Sequence, residues 1–91
     1  MDFQTEENSI VYKSADGVVL ARADFSEAAP GVYDIFHTEV DPSLQGQGIA
    51  GKLVARTVAE IERRGGKTME DASCSYAAAW LKRHAEKGVS Q

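Results

Sequence analysis

Apolar residues change their spacing partway along the chain, and the change separates a strand-rich first half from a helical second half. From Ile49 onward they fall three and four apart (Ile49, Ala50, Leu53, Val54, Val58 and Ile61), with Lys52, Arg56, Glu60, Arg63 and Arg64 between them. That period predicts an amphipathic helix from about Gly48 to Arg64, closed by Gly65-Gly66. Ahead of it, short β-rich runs alternate with turn formers. Ile10-Val11-Tyr12 leads into Ser14-Ala15-Asp16-Gly17, whose Asp-Gly pair is typical of hairpins. Val18 to Phe25 reads as the return strand, Ser26 to Gly31 as a second turn, and Val32 to Val40 as a third strand. Val32, Phe36 and Val40 fall on one face of that strand and Tyr33 and Ile35 on the other, which suits a central strand covered on both sides. Ser75 to Lys87 predicts a second helix, with Ala77, Trp80, Leu81 and His84 on one face and Gly88 ending it.

Composition narrows the class. A chain of 91 residues with 43% hydrophobic content supports one domain over residues 1–91 and one modest core. The formal net charge of −4 argues against a nucleic-acid surface, which is normally basic. No run has the length of a membrane-spanning helix, and no charged-then-apolar leader precedes Phe3, so no membrane partner is expected. The one cysteine, Cys74, has no disulfide partner within the chain, which fits a reducing compartment; the expectation is cytoplasmic. One cysteine and two distant histidines give no metal-ligand spacing, so no metal is expected.

The candidate chemistry begins at Gln45-Gly46-Gln47-Gly48-Ile49-Ala50, where the predicted helix opens. Small residues let the backbone come close to a ligand, and a helix start offers unpaired N–H groups and a positive dipole end. Together these can make a phosphate site, although a Gly-x-Gly at a strand-to-helix corner is as often only a tight turn. A nucleotide site of the usual kinds is disfavoured, because the chain has neither a Gly-Lys-Ser/Thr phosphate signature nor a full Gly-x-Gly-x-x-Gly.

The spacing Gln45-x-x-Gly48-x-Ala50 resembles the acetyl-coenzyme A pyrophosphate loop of the Gcn5-related N-acetyltransferases (GNAT). Asp34 to Val40, Leu44 to Leu53 and Cys74-Ser75-Tyr76 resemble the short single-domain members of the YjdJ type. The resemblance runs from about Gly17 to His84. It implies a strand at Lys67–Asp71, the order β-β-β-α-β-α, and a minimal α/β fold with a mixed sheet of about four strands and two flanking helices. It further implies that acetyl-coenzyme A is the co-substrate. Gln45, Gly46, Gln47, Gly48, Ile49, Ala50 and Gly51 would hold its pyrophosphate, and backbone groups near Glu39 and Val40 its pantetheine arm.

The Cys-Ser-Tyr match brings Cys74 beside the thioester. At a helix start its thiol is favoured as thiolate, and Ser73 or Ser75 would cap that helix. Cys74 then reads as a nucleophile, as an acid for the departing thiolate, or as a small buried hydrophobe. Glu70 and Asp71 just before it would raise its pKa. Tyr76 is the other candidate acid, or a core aromatic beside Trp80. His37 is a candidate general base or a packing residue on its strand, and Glu39 could act through a water. The chain has only Ser14 to Gly17 where larger members carry a helical insertion, so the acceptor side should be open. The expected function is N-acetyl transfer to an amine acceptor, a protein tail or a polyamine, by a monomer or weak dimer. The alternative is a coenzyme-binding or interaction module without turnover.

Overall fold

The computed structural model describes the backbone of residues 3–89 and the side chains of residues 3–84. Its elements are β1 (Gln4–Glu6), β2 (Ser9–Lys13), β3 (Val19–Ala29), β4 (Val32–Val40), α1 (Ile49–Arg63), β5 (Lys67–Thr68) and α2 (Ser75–Val89), with a 3-10 turn at Pro42–Leu44 between β4 and α1. The five strands lie in sequence order in one sheet, antiparallel except for the parallel β4–β5 pair. The sheet thus has one strand more than expected, the short polar β1. The strand β5 is two residues long rather than five, and α2 continues through Gly88. Among the described residues no helix is long and apolar enough to cross a membrane.

Two glycine turns set the hairpins. Gly17 (φ 86°) closes β2–β3, and its N–H donates to the Ser14 carbonyl at 2.9 Å. Gly31 (φ 75°) closes β3–β4, and its N–H donates to Glu27 Oε2 at 2.7 Å. Both values lie in the left-handed region that glycine enters without a Cβ clash. The second turn is tighter than expected, since β3 extends through most of the Ser26–Gly31 stretch.

A β-bulge in β4 decides where its side chains point. Asp24 opposes His37 while the next residue, Phe25, opposes Ile35, so Phe36 is the extra residue. An inserted residue breaks the two-residue alternation and re-aims everything after it. Tyr33 and Ile35 face the helices, Phe36 and His37 both face away, and Thr38 and Val40 turn back towards the helices. The expected grouping of Val32, Phe36 and Val40 on one face therefore fails at Val40, and Phe36 is 47% exposed rather than covered.

Both helices pack on the Ile35 face. Ile10, Ala21, Ala23, Phe25 and Ile35 from the sheet meet Leu53, Val54 and Ile61 from α1 and Ala77 from α2 in one buried cluster. Full burial of a side chain such as Leu53 is worth about 1.5–3 kcal/mol, so these few residues carry much of a small domain's stability. The sequence sets Glu60 on the solvated face of α1, yet it is buried, at 3% exposure. Its carboxylate accepts from Arg63 Nη2 at 2.7 Å and Arg64 Nε at 2.8 Å, which compensates the lost hydration. Arg64 also stacks over the Phe25 ring at 4.9 Å and donates to Asn8 Oδ1 at 2.9 Å, tying the end of α1 to the β1–β2 turn.

The β4–β5 pairing is short. Only Val32↔Lys67 and Tyr33↔Thr68 pair, and the chain then leaves the sheet after Met69 donates to the Tyr33 carbonyl at 2.8 Å. Gly66 permits even this contact, because a Cβ there would meet the Tyr33 ring at 2.5 Å. The chain returns at Cys74, whose N–H donates to the Ile35 carbonyl at 3.1 Å. Between these points β4 has only Asp34, while the other segment turns through residues 70–73 before rejoining it.

Candidate active site

The loop ahead of α1 is built from Asp41 onward. The Asp41 carboxylate accepts from the Ser43 N–H at 2.9 Å and the Ser43 hydroxyl at 2.5 Å, and these bonds hold its pKa below the usual carboxylate value. Pro42 then starts the 3-10 turn, where its missing N–H costs nothing. Gly46 (φ 84°) and Gly48 (φ 73°) both take left-handed conformations, and Gly48 caps α1 without a side-chain bond. The first bond into the helix is Lys52 N–H to the Gly48 carbonyl at 3.2 Å. The N–H groups of Gly46, Gln47, Gly48, Ile49, Ala50 and Gly51 have no acceptor among the described residues. Donors without close partners at the positive end of a fifteen-residue helix offer a setting that favours an anion.

A hollow of about 250 Å³ opens over this loop, lined by Gln45, Gly46, Gly48, Ala50 and Gly51, with Val40 and Tyr76 at its other wall. The Tyr76 hydroxyl lies 3.6 Å from the point where a Cβ on Gly51 would stand. Tyr76 is partly exposed rather than a core aromatic, and it belongs to the loop side of the site.

Cys74 itself caps α2, since its carbonyl accepts the first helical bond, from Ala78 N–H at 2.9 Å. Ser73 and Ser75 do not fill that position. Ser73 instead donates its N–H and hydroxyl to the Asp34 carboxylate at 2.8 and 2.6 Å. The Cys74 sulfur lies 3.3 Å from Thr38 Oγ1 across the gap beside the bulge. Burial pushes the thiol pKa up, but hydrogen bonding by the Thr38 hydroxyl and by the N–H groups of Ala77, Tyr76 and Thr38 outweighs it, so the pKa ends below its ordinary value. The net shift is downward, and Glu70 and Asp71 are not among its leading causes.

The bulge separates His37 from this group. His37 lies on the opposite face, about half exposed, with Nε2 3.1 Å from Glu39 Oε1. The Glu39 side chain shares that face. A broad hollow of about 530 Å³ opens there, lined by Glu6, Glu7, Ser9, Asp24 and Phe36. A third, of about 280 Å³, lies at the β3–β4 end between Leu20, Arg22, Glu39 and Pro42. The structure thus gathers the Gln45–Gly51 loop, Val40, Tyr76 and Cys74 on the helix side and leaves His37 and the Glu39 side chain on the open side. The sequence reading missed Thr38. The Phe36 insertion that aims it at Cys74 has no signature in the residue pattern.

The model of the GCN5-related N-acetyl-transferase family matches residues 9–89. Among solved structures, a GCN5-like candidate N-acetyltransferase from Staphylococcus aureus is 26% identical, with a TM-score of 0.72 over 93% of this chain and 81% of its own. A nourseothricin acetyltransferase is 20% identical, with a TM-score of 0.53 over 64% of this chain and 35% of its own. An aminoglycoside acetyltransferase from an uncultured soil metagenomic sample is also 20% identical, with a TM-score of 0.52 over 86% of this chain and 57% of its own. These last two share the fold alone. No curated protein matches. The glycine loop, the short parallel β4–β5 pair and the family match over nearly the whole chain lead to one assignment: the chain belongs to the GCN5-related N-acetyltransferase family.

Proposed function

We propose that the protein binds acetyl-coenzyme A at the Gln45–Gly51 loop and transfers its acetyl group to an amine, with Cys74 taking part. The observation that carries this reading is the set of N–H groups without close partners at the start of α1, which suit an anionic group such as a pyrophosphate. From that anchor the pantetheine arm runs past the backbone of Glu39 and Val40 into the gap between the end of β4 and the start of α2. Cys74 lies in that gap as the donor-surrounded thiol of the site.

The Cys74 thiolate attacks the thioester carbonyl, the bond from that carbon to the coenzyme sulfur breaks, and Tyr76 gives the leaving thiolate its proton. The acceptor amine reaches the acetylated Cys74 on the helix side of β4 and gives its proton to the Tyr76 phenolate, which restores the acid. The amine then displaces Cys74 from the acetyl carbon and restores the thiolate. The short Ser14–Gly17 connection leaves no covering element on the acceptor side, which suits an accessible amine such as that of a polyamine or a protein tail.

Intact mass after incubation with acetyl-coenzyme A tests this. The expected result is one acetyl group, mapped to Cys74 and discharged by added polyamine. Coenzyme binding with no transfer to thiol or amine would overturn the catalytic reading and leave a coenzyme-binding module. Transfer at the parent rate in Cys74→Ala would remove the cysteine from the mechanism and leave direct attack by the amine.

A further inference from the structure

We propose that Thr38 is the positioning residue of the Cys74 thiol: its hydroxyl holds the sulfur in the β4–α2 gap and stabilises it as the thiolate. This deepens the reading above by naming what prepares the cysteine, but its test needs no acetyl transfer.

Thr38 Oγ1 and Cys74 Sγ lie 3.3 Å apart although 36 residues separate them in sequence, so the contact is made by the fold. Two independent features create it. The Phe36 bulge turns Thr38 onto the helix face, where regular alternation would point it to the other side. On the opposing segment, the Cys74 N–H to Ile35 carbonyl bond and the grip of Asp34 on Ser73 fix the start of α2 against the same stretch of β4. The sulfur is therefore held from both sides. A hydroxyl that donates to a thiolate favours the charged form, as do the Thr38, Tyr76 and Ala77 N–H groups beside it.

Ionisable side chains on the surrounding segments do not explain the same effect. Asp34 is engaged by Ser73, and His37 and Glu39 point to the other face of β4. Glu70 and Asp71 on the approach to α2, Tyr76 on α2 and Lys52 on α1 supply none of the leading effects on the thiol. The preparation of this thiol is dipolar, and Thr38 is its side-chain component.

Cys74 is the chain's one cysteine, so alkylation by iodoacetamide reports it without interference. The rate of alkylation against pH is measured for the parent, Thr38→Val and Thr38→Ser, each shown to be folded by circular dichroism. In Thr38→Val the midpoint of the profile should move up. Below the midpoint the rate should fall about threefold to tenfold, the lower figure allowing for the greater intrinsic reactivity of a more basic thiolate. Thr38→Ser keeps the hydroxyl and should stay close to the parent profile. A folded Thr38→Val whose profile overlays that of the parent would overturn the proposal. So would a Thr38→Ser profile displaced as far as that of Thr38→Val, which would assign the effect to packing of the methyl group. A shifted Thr38→Val profile in a protein that forms no acetyl adduct would support the role of Thr38 while contradicting the acetyl-transfer reading.

Discussion

The Asp34 carboxylate accepts both the N–H and the hydroxyl of Ser73, at 2.8 and 2.6 Å, and so ties β4 to the start of α2 across 39 residues. With the Ile35–Cys74 backbone bond one residue further along each segment, it closes the end of the gap that the short β5 leaves open. Asp34→Ala should cost about 1 kcal/mol, the usual net worth of a hydrogen bond at a partly solvated site. In a domain of this size that lowers the melting temperature by about 4–8 °C. An unchanged melting curve would show that the tie contributes nothing to the fold.

Leu53 is wholly buried between the sheet and α1. Leu53→Ala removes that contact and leaves a cavity, so about 2–5 kcal/mol should be lost, a large share of the stability of a domain this small. Chemical denaturation measures it directly. A parent-like midpoint would contradict the packing described for α1.

Glu60 gives the fold an acid limit. Its hydrogen bonds to Arg63 and Arg64 outweigh the opposing effect of burial and hold the carboxyl at about 2, below its ordinary 4.5. Because the folded-state value is depressed, the stabilisation is complete above about pH 4.5 and is lost as pH falls towards about 2. Arg63 is largely exposed, so solvent screens its share. Glu60→Gln should cost about 1–2 kcal/mol at neutral pH. It should also flatten the loss of melting temperature between pH 4.5 and 2. A variant with the parent's acid profile would assign that loss to other carboxylates.

The α1 helix was legible because its apolar positions keep the helical period and because two glycines precede and two follow it. The hairpins were legible from Asp16-Gly17 and Pro30-Gly31. The Gln45–Gly51 loop stood out for the same reason, since glycine placement is local chemistry. What escaped depends on tertiary structure. Phe36-His37-Thr38 reads as regular alternation, and only the pairing of β4 with β3 reveals the inserted residue that reverses His37 and Thr38. Gln4-Thr5-Glu6 is too polar to announce a strand and is one through its pairing with β2. Glu60 looks like a solvated charge until Arg63 and Arg64 close over it. Ser73 looks like a cap until Asp34 takes it, which leaves the cap position to Cys74.

The central claim is that the Gln45–Gly51 loop holds a coenzyme pyrophosphate, and a melting curve with and without coenzyme tests it most directly. Coenzyme A or acetyl-coenzyme A at ten times its dissociation constant should stabilise the fold by about 1.4 kcal/mol. For a domain of this size that raises the melting temperature by about 6–11 °C. Gly48→Asp places a negative side chain in the loop and a Cβ on a left-handed residue (φ 73°), so it should abolish the shift. A parent protein whose melting curve neither coenzyme moves, at concentrations up to the millimolar range, would contradict the account.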